Sequence, residues 1–257
     1  MLPPRYHRWV QLHDVIGKAG FQYDLRQVSR ELMPNVRRYE HRAMRALTRS
    51  VESFLDAACR RRISRLRLEF FVTHSTECMN RLIAEAIDAC GVDELQVVAK
   101  PIFWRRAVHT FASHVLCKEP SASRLQSLKL GGCVLPPLHE YGALTRLVLQ
   151  DIPDSTPVAT YQGVFTSCQQ LQVLHLISCR CSGGVIFVDA PMSRIRELVV
   201  DECRFRRLRL RALPNLESLA SLGHRVFLES ASFPCLRKFN LTECIGVTMQ
   251  GFRQYLK

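Results

Sequence analysis

Three things are scarce or missing in this chain, and each removes a class of function. Cysteine occurs 11 times, yet no two fall at Cys-x-x-Cys spacing. An odd, scattered set suits neither a secreted disulfide framework nor a zinc site built from clustered ligands. The thiols read as reduced, which points to the cytoplasm or the nucleus. Long apolar runs are missing too. The start, MLPPRYHRWVQLHDV, has no signal-peptide core, and later apolar stretches are broken by charged or polar residues, so no membrane contact is expected.

Catalytic motifs are the third absence. Gly17-Lys18-Ala19 lacks the first glycine and the hydroxyl of a phosphate-binding loop, and no nucleophile elbow or dinucleotide turn occurs. His109 and His114 are five residues apart, which separates them by about 140° on a helix. His114 with Cys117, and His74 with Cys78, offer two ligands each where zinc takes four. No catalytic residue, metal or cofactor is expected, and the chain does not read as an enzyme.

Acidic charge is in deficit. Lys and Arg total 36 against 23 Asp and Glu, a net charge of +13. Such a surface favours anionic partners without specifying a fold. Residues 1–65 alone carry 14 basic and 6 acidic side chains.

What is present is a repeat. LQSLKLGGC begins at Leu125, LTRLVLQDI at Leu144, LQVLHLISC at Leu171, IRELVVDEC at Ile195 and LRKFNLTEC at Leu236. Each is apolar at positions 1, 4 and 6 and small or apolar at position 9, the strand signature of a leucine-rich repeat. Weaker copies start at Ile63, Val92 and Leu216. Position 4 falls at Leu66, Leu95, Leu128, Leu147, Leu174, Leu198, Leu219 and Phe239, with gaps of 29, 33, 19, 27, 24, 21 and 20. The longest gap contains an insertion, PIFWRRAVHTFASHVLCKEPSA. LRLRAL, from Leu208, fits no repeat start and reads as an extra short strand.

The predicted fold is therefore an α/β leucine-rich-repeat solenoid. It is curved, with short parallel strands on its concave face and irregular or helical returns on its convex face. Positions 4 and 6 face the core, and Cys133, Cys179, Cys203 and Cys244 at position 9 are packing groups. Met79, Leu82, Ile83, Ala86, Ile87 and Cys90 form a helical stripe ended by Gly91, and residues 163–170 form a shorter helix candidate. Met44, Leu47, Val51, Phe54, Leu55 and Ala58 predict a helix over about 42–59 that caps the open end of a repeat domain spanning 42–257. Residues 1–41 lack such periodicity and are expected to be poorly ordered.

Alternation points the side chains between the core positions outward. Arg65, Arg67, Lys129, Arg146, His175, Lys238 and Asn240 are thus candidate partner-binding residues on the concave face. Arg207, Arg209 and Arg211 are assigned to the same face. Nucleic acid is not the expected ligand, because no aromatic residues that could stack on bases are interleaved with these positions.

RISRLRLEFF, EAIDACGVDELQVVAK, SRLQSLKLGGCVLPPL, GVFTSCQQLQVLHLISC and APMSRIRELVVDECRFRRLRLRALPNLESL together resemble the plant F-box/LRR-repeat protein family, over about residues 42–250. The resemblance implies the substrate-recognition part of a Skp–cullin–F-box ubiquitin ligase, whose repeats hold the protein to be ubiquitinated. The F-box itself is not found. Leu2-Pro3 runs into Pro4-Arg5-Tyr6 and not into an amphipathic helix, so no F-box residue is carried over. A Skp-type adaptor is an expected partner only if a longer product supplies that segment. The alternative is a free-standing repeat scaffold, or a competitor that occupies the substrate without delivering it.

Overall fold

The computed structural model describes residues 33–58, 63–72, 76–101, 107–112, 115–182, 184–223, 226–229 and 233–242. All eight nine-residue copies contain a strand. These are β1 (Arg65–Phe71), β2 (Glu94–Lys100), β3 (Ser127–Gly131), β4 (Arg146–Gln150), β5 (Val173–Ile177), β7 (Glu197–Asp201), β9 (Ser218–Leu222) and β11 (Lys238–Thr242). They form one all-parallel sheet in the order β1-β2-β3-β4-β5-β7-β9-β11. The overall class is α/β, a mostly parallel multi-strand sheet with few helices.

The register follows the motif. Position 4 of every copy pairs with position 4 of the next, from Leu66↔Leu95 through to Leu219↔Phe239. Two devices recur from copy to copy. The position-2 carbonyls of Ser64, Asp93, Gln126, Thr145, Gln172, Arg196 and Glu217 each accept two N–H groups from the following copy. At position 8, Gly132, Asp151, Ser178, Glu202 and Gly223 all adopt left-handed backbone, with φ between 47° and 64°. This residue ends the strand and turns position 9 inward. Cys133, Cys179 and Cys203 are accordingly buried, and burial pushes the Cys133 thiol up to about 12. The Cys179 and Cys203 thiols each donate to a position-6 carbonyl of the preceding copy, Leu149 and Leu176, at 3.3 Å. Cys244 lies outside the described residues.

The returns correct the sequence reading in three places. From β5 onward the chain crosses a second sheet before each new copy, adding β6 (Val185–Asp189), β8 (Arg207–Ala212) and β10 (Val226–Leu228) in the parallel order β6-β8-β10. The extra strand at LRLRAL is therefore one of three, not an isolated piece. Helix α3 (Val158–Ser167) starts before Gly163, because Pro157 is its cap and not a breaker. The first helix, α1 (Met33–Ala58), begins well upstream of residue 42. Pro34 sits in its first turn, where the missing N–H has no intrahelical partner to lose. Residues 1–32 lie outside the described residues. The helix α2 (Thr76–Asp88) buries Met79, Leu82, Ile83, Ala86 and Ile87 as predicted, and Gly91 follows it at φ 60°.

Both sheets contribute buried rows to one apolar cluster: Leu174 and Leu176 from β5, Ile186 and Val188 from β6, Leu208 and Leu210 from β8. Their outward faces therefore point away from each other. At the β1 end, α1 packs on β1 and α2 through Met44, Leu47 and Val51. His109, in the insertion, pairs with Cys133 in a one-residue parallel bridge. Its ring is fully buried between Phe70 and Phe111, edge-to-face at 5.0 and 4.9 Å, and both ring nitrogens lack a hydrogen-bond partner.

Two outcomes are expected. A Cβ on Gly132 would stand 1.9 Å from the Ala99 carbonyl oxygen, whereas one on Gly223 meets nothing closer than 4.0 Å. Gly132→Ala should cost roughly 2–4 kcal/mol in denaturant unfolding and Gly223→Ala only about 1 kcal/mol. Equal losses would contradict the close approach. Burial lowers the His109 pKa to about 4. The unfolded chain therefore binds the proton first, and stability should fall as pH drops from about 6.5 toward 4. Unfolding of His109→Leu over the same range should show that slope reduced by about one proton.

Candidate interaction surfaces

The outward face of the eight-stranded sheet displays positions 3, 5 and 7. Its β1–β2 end is charged and largely self-paired. Arg65 meets Glu94 at 3.1 Å across the two strands. Glu69 is held between Arg67 on its own strand and Lys100 on β2. Burial raises the Glu69 carboxyl, but hydrogen bonds and charge from Lys100 and Arg67 outweigh that and hold it at about 2. Two of the predicted binding residues, Arg65 and Arg67, are thus engaged by carboxylates within the sheet.

Lys129 on β3 and Arg146 on β4 occupy neighbouring strands, in the registers Ser127↔Arg146 and Lys129↔Val148. Among the described residues neither has an acidic partner. Lys238 and Asn240 lie on β11, four strand spacings from β4 and about 19 Å away. The sequence-predicted basic ridge is therefore not continuous. Alternation told which side of its strand each cation takes, but not what the strands between would carry.

Those middle strands carry apolar side chains among the polar Gln150, Glu197, Asp201 and Ser218. Position 5 runs Val148↔His175↔Val199↔Ala220, and Val173, Ile177 and Leu222 flank it, all half-buried. His175 sits in this row, and its Nε2 donates to Glu197 Oε1 at 2.6 Å across β5 and β7. A row of small and branched side chains is what an outward sheet face shows when it is not simply solvated. Sequence reasoning counted the charges and passed over this row because each valine alone looks like ordinary strand filler.

Arg207, Arg209 and Arg211 need the larger correction. They point outward from β8, with Leu208 and Leu210 inward, as alternation predicts. But β8 belongs to the three-stranded sheet, so they face away from the other candidates. Period-two alternation gives the side of a strand and is silent about which sheet the strand joins. On that face Arg211 pairs with Asp189 at 3.4 Å, Arg209 pairs with Glu229, and the Arg207 guanidinium lies 5.7 Å from the centre of the Phe227 ring. Register sets Phe187, Arg209 and Phe227 side by side on β6, β8 and β10.

Among the described residues no group of three metal-ligating side chains occurs, and no helix is long and apolar enough to cross a membrane. An open cleft of about 490 Å³ beside the end of α3 is lined by His139, Tyr141, Thr166, Ser167 and neighbouring glutamines. No hydrogen bond joins His139 to a hydroxyl there among the described residues.

The Glu69 cluster generates a pH prediction. Its folded pKa lies below the unfolded value near 4.5, so the stabilisation is present above pH 4.5 and is lost as pH falls through about 2. Wild type and Glu69→Gln should differ in stability at pH 7 and converge toward pH 2. A difference unchanged over that range would mean that the Lys100 and Arg67 contacts are not made in solution.

No family model, no curated protein and no solved structure matches this chain.

Proposed function

We propose that the chain is a leucine-rich-repeat solenoid that binds a protein, and that it is a member of the F-box/LRR-repeat family whose repeats recognise ubiquitin-ligase substrates. The single observation that carries the binding role is the row of apolar side chains across the outward face of the eight-stranded sheet, with Lys129 and Arg146, which have no acidic partner among the described residues, on one flank and Lys238 on the other. Apolar centres ringed by charge are the anatomy of protein interfaces. The fitting partner is a segment with apolar residues at its middle and carboxylates at its ends. In this reading the face is the concave one, the chain performs no chemistry of its own, and ubiquitin transfer belongs to other subunits.

Eight copies in one unbroken register support the solenoid, since each copy buries its leucines mainly against its neighbours. The test is affinity purification with the full chain and with a Val148→Gln, Val199→Gln variant. Proteins retained by the wild type should be lost by the variant while its melting temperature stays within a few degrees. Identical capture by both would remove this face from consideration. Gel filtration with a Skp-type adaptor at micromolar concentration tests the second half of the reading. No co-elution is expected, and a stable complex would show that the chain holds an adaptor-binding segment of its own.

A further inference from the structure

We propose that the outward face of the three-stranded sheet is a binding platform for single-stranded RNA. This inference goes beyond the protein-binding role and is independent of it, because the platform lies on the other sheet.

The first observation is charge without counter-charge. Arg180 and Arg204 hold the same place in consecutive copies, one residue after the inward cysteine. A parallel bridge lays them side by side, which sets their Cα atoms about 4.8 Å apart. Both are exposed, as is Arg206, and among the described residues none of the three has an acidic partner. Arg206 leads directly into β8 and Arg207, so Arg204, Arg206 and Arg207 fall within four residues of chain, with Arg180 bridged to the first of them. Like charges held this close repel, and an anion between them relieves the repulsion. The backbone hydrogen bonds Arg180 N–H to Ile152 and Arg204 N–H to Cys179, at 2.9 and 2.8 Å, keep the pair in place without any help from the side chains.

The second observation is planar surface beside that charge. Phe187 and Phe227 are half-buried, take the outward phase of β6 and β10, and bracket Arg209 in register. Adjacent strands put the backbone of each phenylalanine about 4.8 Å from the arginine's backbone. Arg207 lies over the Phe227 ring. A nucleobase can stack on a phenyl ring or on a guanidinium plane, and the backbone phosphates can then follow the arginines. Duplexes hide their base faces and cannot use the rings. An acidic peptide would satisfy the arginines but has no use for two aromatic platforms. Helix α3 packs against β6, where Gln162 Nε2 donates to the Phe187 carbonyl at 2.9 Å.

The sequence argued against nucleic acid because no aromatics interleave with the basic positions. Interleaving is created only by the sheet, which brings together residues 187, 209 and 227.

The experiment is fluorescence anisotropy with the full chain and a labelled oligouridine of about twelve nucleotides, within the site sizes of single-strand binders. Binding in the micromolar range at about 0.1 M salt is expected, weakening steeply as salt rises. Phe187→Leu with Phe227→Leu keeps the apolar bulk and removes the rings; it should weaken binding about tenfold with little change in salt slope. Arg204→Gln with Arg206→Gln should reduce that slope by roughly 1.4. The Val148→Gln, Val199→Gln variant should bind RNA like the wild type, which separates this platform from the protein-binding face. Three results would overturn the proposal: no binding by the wild type at about 100 μM, leucine variants that bind as tightly as wild type, or a polyglutamate peptide that competes as well as unlabelled RNA.

Discussion

One carbonyl per copy governs this molecule. The position-2 oxygen accepts two N–H groups from the copy that follows, and that shared bond recurs at seven places from Ser64 to Glu217. It fixes where each strand begins relative to its neighbour. With the start fixed, leucine stacks on leucine at position 4, and the left-handed residue at position 8 swings position 9 into the core. A slip of one residue would turn every leucine outward and every arginine inward. The cost of left-handed backbone at Asp151, Ser178 and Glu202, on the order of 1 kcal/mol each, is accepted because the turn must occur at that position whatever residue stands there.

The eight-stranded sheet was readable because a repeat states the same fact eight times. The motif at Leu125, Leu144, Leu171 and Ile195 is strong, and it carries the weaker copies at Ile63, Val92 and Leu216 by spacing. The second sheet was not readable in the same way. VIFVD and VFL are short, β-branched and aromatic, but they follow no period of their own. Their pairing depends on contacts between residues some 20 apart, which no local window contains. The same limit misplaced Arg207, Arg209 and Arg211. Pro34 and Pro157 each stand at a helix start, where proline fits.

The charge excess resolves into different local situations. At the β1–β2 end it is spent on Glu69 and Glu94 within the sheet. Around β3 and β4, Lys129 and Arg146 border the row of apolar side chains. On the three-stranded sheet, Arg207 stands over the Phe227 ring while Arg209 and Arg211 pair with Glu229 and Asp189. A single net charge of +13 therefore describes at least two surfaces of different chemistry on opposite sides of one core.

The alternation between sheets from β5 onward also bears on how such a chain can change length. Each step of 24, 21 and 20 residues, from Leu174 to Leu198, Leu219 and Phe239, carries one strand for each sheet apart from the last-described edge. Such a step is a closed module. Gene duplication or loss of one whole step adds or removes a rung from both sheets together and leaves the surviving rungs matched. Loss of β6, β8 or β10 alone would strip the cover from buried leucines on the facing strands. A change of length along this half of the molecule is thus expected to come in whole steps of 20 to 24 residues, while before β5 the helices and the long insertion between strands can change length without removing a strand.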